Sequence, residues 1–341
     1  MNSEFNPTLF SRRRLMLGGI ALASAVLTPK VGSAATLASG VTLKEVSFKN
    51  GAIDMAGNVF LPKTLEQDRR YAAIVVVHPG GGVKEQTAGL YARMFAEQGF
   101  VALAFDASHQ GASGGMPRLL DNPVNRVGDI YSAVDYLTSL AYVDESRIGA
   151  LGICAGSGTA VKAATTERRI KAIATVSAVD VGAATRKGWD GKAPVSEQLA
   201  MLDAVAKQRT AEAAGASPAY VPYLPQVGDK TAPRDLQEAA DYYLTPRGYH
   251  PNSPNKMLMS SLSYLASFNG FDGVDTLLTQ PLMIVAGSNA GSLWHSRELH
   301  TKAAGSKTLF VVDGATHMDL YDGDGAAVAM QQLAPFFKTS L

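Results

Sequence analysis

Apolar and polar positions alternate along this chain in two rhythms. Ala72–His78 (AAIVVVH) is an unbroken apolar run of strand length, the pattern of a strand covered on both faces. Phe100–Phe105, Arg147–Ile153, Lys171–Ala178, Leu282–Ala286 and Thr308–Val312 have the same character. Between these runs, about Thr87–Gln98, Val124–Leu140, Ala155–Thr166, His295–Ala303 and Gly325–Phe337 read as helices. Ahead of them, Val41–Lys49 and Ile53–Leu61 read as two strands joined by a turn at Asn50-Gly51. The pattern predicts an α/β fold with eight strands. The first two are antiparallel, and the rest form a mostly parallel sheet with right-handed helical crossovers.

One interval breaks the alternation. Residues 181–280 separate the sixth strand from the seventh and read as helical, over Val195–Ala214, Pro233–Leu244 and Pro254–Phe268. The same stretch carries Tyr220, Tyr223, Tyr242, Tyr243 and Tyr249. It is expected to be a lid over the carboxyl edge of the sheet, where open α/β sheets bind ligands. The first 35 residues have a different grammar. Arg12-Arg13-Arg14 opens a short Gly/Ala-rich apolar stretch, Leu15–Leu27, that ends at the small residues Gly32-Ser33-Ala34-Ala35. This is the layout of a cleavable signal peptide of the twin-arginine (Tat) type, and the apolar stretch is shorter than a bilayer span. The expectation is export through the Tat machinery to the periplasm or beyond. After cleavage of the signal, no stable membrane association is expected. The mature domain is then residues 36–341.

Composition changes this picture in two places. A hydrophobic fraction of 46% and a charged fraction of 18% belong to a globular chain. The net charge is +1, and without the first 35 residues it becomes −2, with 27 basic against 29 acidic side chains. No basic run is present, so nucleic acid is not an expected partner. The single cysteine, Cys154, excludes an intramolecular disulfide framework and any paired-cysteine metal or redox motif.

That cysteine sits where a strand runs into a helix, as Gly152-Ile153-Cys154-Ala155-Gly156. This is the nucleophile elbow G-x-S-x-G with cysteine in place of serine. Glycines two residues either side let the backbones pass closely, and the helix N-terminus favours a thiolate. The base is expected after the last strand, at His317 in Asp313-Gly314-Ala315-Thr316-His317. Oxyanion donors are expected from the N–H of Ala155 and from Gly80 or Gly81 in His78-Pro79-Gly80-Gly81-Gly82. The acid is less defined, because the loop after the seventh strand, Ala286 to Ser292, holds no carboxylate. Asp180, at the end of the sixth strand, is the first candidate, with Glu298, Asp319 and Asp322 as rivals.

At these residues the chain resembles the α/β-hydrolase superfamily, in its dienelactone-hydrolase-like branch and close to the YcjY-like bacterial group. The resemblance runs from about Val41 to Leu341. It implies hydrolysis of a small-molecule ester, thioester or lactone, with Cys154 as nucleophile, His317 as base, and no metal or organic cofactor. It also points to Glu85, because dienelactone hydrolases keep a glutamate near the resting cysteine. Two other expectations stand beside hydrolysis: acyl transfer to an alcohol or amine, and a non-catalytic relative that kept only the fold.

Overall fold

The structure, a computed structural model, describes residues 34–66 and 68–341. The signal-type segment therefore lies outside the described residues except for Ala34 and Ala35. The strands are β1 (Ala34–Thr36), β2 (Thr42–Asn50), β3 (Ile53–Leu61), β4 (Tyr71–Val77), β5 (Val101–Phe105), β6 (Val143–Ile153), β7 (Ile170–Val176), β8 (Tyr220–Val221), β9 (Met257–Leu258), β10 (Leu282–Gly287) and β11 (Lys307–Val312). Nine of them form one sheet in the order β1-β2-β3-β5-β4-β6-β7-β10-β11. The pairs from β5 through β11 are parallel, and β1, β2 and β3 join antiparallel. The eight expected strands are all in this sheet. The ninth is the exposed edge strand β1, in residues assigned by sequence to the end of the signal. Small residues of a cleavage-like motif carry no apolar alternation, so no strand was legible there.

The physical basis of the sheet is clearest in β4, which is buried along its whole length. Ile74 and Val76 enter one apolar layer, while Ala73, Val75 and Val77 enter the other. The first layer is closed by α1 (Thr87–Glu97) and by the C-terminal helix Gly323–Ser340. The second is closed by α2 (Pro123–Thr138) and α3 (Ala155–Thr166). Burying each large aliphatic or aromatic side chain in these layers contributes about 1.5–3 kcal/mol.

The long interval between β7 and β10 folds as α4 (Val181–Lys187), α5 (Val195–Ala213), α6 (Arg234–Leu244) and α7 (Ser261–Ser267), with β8 and β9 paired as a separate two-stranded sheet. Two expectations change here. The helix read as Pro254–Phe268 begins only at Ser261, since Met257–Leu258 pairs with β8 instead. Helix α4 was not expected at all, and it starts because Asp180 caps it. The Asp180 Oδ1 accepts the N–H groups of Gly182 (2.9 Å) and Ala183 (3.3 Å). Two more helices complete the chain between β10 and the C-terminal helix: α8 (Leu293–Lys302) and a 3₁₀ turn, Met318–Leu320. Among the described residues, no helix is long and apolar enough to cross a membrane.

Candidate active site

The strand-to-helix turn between β6 and α3 places Cys154 at φ +51°, ψ −121°, a strained geometry for a residue with a side chain. The flanking glycines are required by contact. A Cβ on Gly156 would overlap the Val77 carbonyl oxygen and lie 2.7 Å from that of His78. One on Gly152 would run into the Ser157 backbone. Such strain persists where the surroundings over-determine it. Here the Cys154 N–H donates to the Val176 oxygen (3.0 Å), and its carbonyl accepts from Ser157 and Val179. The side chain is therefore held at the floor of a cavity of about 300 Å³.

Burial pushes the Cys154 thiol up, against the pull of its neighbours. The Tyr321 hydroxyl and the N–H groups of Ala155 and Gly80 hydrogen-bond the sulfur, and the Arg126 charge acts in the same direction. The helix-terminus advantage expected from sequence is present but smaller than the desolvation cost, so the resting group is a thiol. Gly80 is the oxyanion-side donor. Gly81, at φ +67°, instead lies under the Tyr223 ring, where an added Cβ would sit 2.8 Å from a ring carbon. Arg126, itself buried, fixes this loop by donating to the carbonyl oxygens of His78 and Pro79.

His317 lines the same cavity and is 1% exposed. Desolvation lowers its pKa from 6.5 to about 3, so the imidazole is neutral. Its Nδ1 lies 2.6 Å from Ser292 Oγ, and its Nε2 lies 3.3 Å from the Tyr321 hydroxyl. The Trp189 ring packs edge-on against it at 5.0 Å. Ser292 is in the loop after β10, the place where the triad carboxylate was sought and not found. A serine thus orients the base.

None of the carboxylates considered reaches His317. Asp180 is the correction that matters most: its Oδ1 caps α4, and its Oδ2 accepts the Gly270 N–H (3.1 Å). It pins both ends of the insertion to the sheet. Glu298 pairs with Lys302 on the surface, Asp322 pairs with Arg247, and Asp319 accepts the Thr316 N–H. Glu85 is exposed and pairs with Lys84 (2.5 Å), which in turn binds Asp106. It is not beside the cysteine.

The insertion supplies the cavity's outer wall: Val181, Trp189, Tyr223, Leu236, Tyr243 and Leu265 line it. Of the five tyrosines singled out by sequence, Tyr223 and Tyr243 line the cavity and Tyr242 packs in the core. Tyr220 and Tyr249 face solvent. The Tyr223 hydroxyl donates to Asp121, a buried carboxylate at the cavity wall that sequence reasoning missed. The insertion also fastens the catalytic loop. Asp235 on α6 accepts both the Trp189 indole N–H and the Gly291 N–H, each at 2.8 Å. Among the described residues, no group of three or more His, Cys, Asp or Glu side chains could hold a metal ion.

Ser292→Asp places a carboxylate on Nδ1, which favours the imidazolium and raises the His317 pKa by roughly one to three pH units. A base that protonates at higher pH loses activity sooner on acidification. The acid limb of the kcat/KM profile is therefore expected to move up in Ser292→Asp, while Ser292→Ala lowers the rate without moving the limb.

A parallel sheet carrying a nucleophile elbow, a loop of oxyanion N–H donors and a histidine after the last strand defines an α/β-hydrolase. The chain belongs to the dienelactone hydrolase family, whose sequence model matches residues 55–216. It is 45% identical over 302 residues to the uncharacterized protein YcjY of Escherichia coli K12, covering 87% of this chain and 99% of that one. The crystal structure of the hypothetical protein PA2218 from Pseudomonas aeruginosa superposes with a TM-score of 0.84 at 34% identity, covering 90% of this chain and 96% of that one. A more distant relative, the polyketide transferase claH of Penicillium crustosum, is 24% identical over 80% of this chain and 89% of its own.

Proposed function

We propose that this hydrolase cleaves thioesters, lactones or activated esters through a thioacyl-enzyme on Cys154. The observation that carries the reading is the Cys154 sulfur on its strained elbow, facing the N–H groups of Gly80 and Ala155. His317 is the base and Ser292 its orienting partner. The thiol ionises as it attacks, so the resting protonated state is compatible with this role. Substrate class follows from leaving-group chemistry. When the tetrahedral intermediate collapses, the better leaving group departs, and a thiolate leaves more readily than an alkoxide. Alkyl esters therefore fall back to substrate, whereas thioesters and enol or aryl esters go forward. The insertion acts as a lid whose apolar wall suits a small or medium acyl group. The test is mass spectrometry of the enzyme mixed with a short acyl thioester. An acyl adduct on Cys154, absent from Cys154→Ala, is the expected result, and turnover without an adduct overturns the mechanism.

Acyl transfer to an alcohol or amine is the second reading. The apolar cavity wall favours an organic acceptor over water, and one relative is named a polyketide transferase. Products formed in the presence of added alcohols separate the two. We also propose that residues 1–35 direct Tat export to the periplasm or the medium. Replacing Arg12, Arg13 and Arg14 by lysine is expected to retain the protein in the cytoplasmic fraction, and unchanged fractionation overturns the assignment.

A further inference from the structure

One hydroxyl in the site has no role in the chemistry above. The 3₁₀ turn Met318–Leu320 winds the chain so that Tyr321, four residues after His317, returns to the imidazole. Its hydroxyl is 3.3 Å from His317 Nε2 and also hydrogen-bonds the Cys154 sulfur. Among the described residues, no direct hydrogen bond joins Cys154 to His317. The phenol is 2% exposed and packed edge-on against Tyr242 (5.5 Å) and Tyr243 (6.3 Å). Its carbonyl oxygen accepts from Thr87 Oγ1 at 2.9 Å. The hydroxyl is thus held on the line between nucleophile and base, and all three groups line the same cavity.

We propose that Tyr321 is a catalytic residue of acylation, its hydroxyl relaying the Cys154 proton to His317. The inference rests on the reading of Cys154 as nucleophile. With Nδ1–H donating to Ser292, Nε2 is left as the acceptor. As the sulfur bonds the carbonyl carbon, the S–H proton passes to the Tyr321 oxygen and the Tyr321 proton passes to Nε2. The carbonyl electron pair moves onto oxygen, facing the N–H groups of Gly80 and Ala155. On collapse, the imidazolium returns its proton to Tyr321, which protonates the departing sulfur or oxygen as the carbon–leaving-group bond breaks. The phenol gives and takes a proton in one step and carries no net charge, which suits so dry a site. Burial, which pushes its ionisation well above the ordinary range, keeps the O–H intact as a donor between turnovers.

The experiment measures the rate of acyl-adduct formation on Cys154 from a short acyl thioester, using full-length wild type, Tyr321→Phe and Tyr243→Phe. Tyr321→Phe is expected to acylate about 10²-fold more slowly, the lower end for general acid–base catalysis, with KM changed little. Tyr243→Phe, which loses a hydroxyl from the adjoining ring, is expected to stay within about threefold of wild type. In mixtures of light and heavy water, the wild-type acylation rate is expected to give a bowed proton inventory, with two protons in flight. Acylation by Tyr321→Phe at the wild-type rate overturns the relay. So does an equal loss in Tyr243→Phe, or a linear wild-type inventory, which needs no variant to fold. Turnover by wild type with no adduct on Cys154 overturns the nucleophile reading itself, and is distinguishable from these.

Discussion

Cys154→Ala is expected to lower kcat/KM for a short acyl thioester by about 10⁴-fold or more, leaving only what binding and the oxyanion donors supply. The fold should be untouched, because alanine takes the place of cysteine at the same strained φ and the contacts of Gly152 and Gly156 are unchanged. Matching thermal unfolding curves with collapsed kinetics are the expected pair of results. Cys154→Ser is expected to be almost as inactive. A serine hydroxyl ionises far less readily than a thiol, and it depends on a base stiffened by a carboxylate. Here the base is oriented by Ser292 Oγ at 2.6 Å, so a serine nucleophile would lack the support it needs. Equal rates in wild type and Cys154→Ala would overturn the assignment.

The second large effect is acid instability. His78, His295 and His317 are each 0–1% exposed, and each has its pKa lowered from 6.5 to about 3, chiefly by desolvation. His78 Nε2 accepts the Ala107 N–H (3.0 Å), and His295 Nδ1 accepts the Asp180 N–H (3.4 Å). The folded pKa values lie below the unfolded ones. The stability these groups contribute is therefore complete above pH 6.5 and is lost as pH falls toward 3. Well below 6.5 the unfolded chain binds three protons that the native state refuses. Stability then falls by about 4 kcal/mol per pH unit. Asp106 and Asp129, pushed up by burial, take protons in the native state and offset part of this loss. Against a total stability of roughly 5–15 kcal/mol, cooperative unfolding is expected near pH 4. Urea titrations at pH 7, 6 and 5 check it. A flat stability over that range would sink the argument, and His295→Gln should reduce the slope by about a third.

Much of the fold was legible because its strands are buried on both faces. A run such as Ala72–His78 has few other uses, and the structure starts and ends it within one residue of the expected bounds. The elbow was legible for steric reasons, since two glycines flanking one cysteine after a strand leave little else to build. The position of His317 followed from topology. The acid was misread because a carboxylate at a strand end can serve two purposes. In Asp180-Val181-Gly182-Ala183, the local purpose of capping a helix prevailed. That signal was available, since aspartate ahead of a helical start is a capping pattern. Ser292 offered no comparable signal, because a serine that holds an imidazole looks like any other serine until the loop is folded. Tyr321 left a weak one, four residues from the histidine, a spacing that becomes adjacency only if the chain turns helically there.

The twofold grip of Asp235 on Trp189 and Gly291 has a consequence for anyone who would re-engineer substrate range. In many enzymes of this architecture the segment above the pocket is treated as an exchangeable part, swapped to change what enters. Here the swapped part would take with it the fastener of the loop bearing Ser292, and the indole that packs on His317. A graft that welcomed a new acyl chain would loosen the base at the same stroke. Selectivity and rate in this protein are mechanically geared together, and a useful graft must bring its own aspartate.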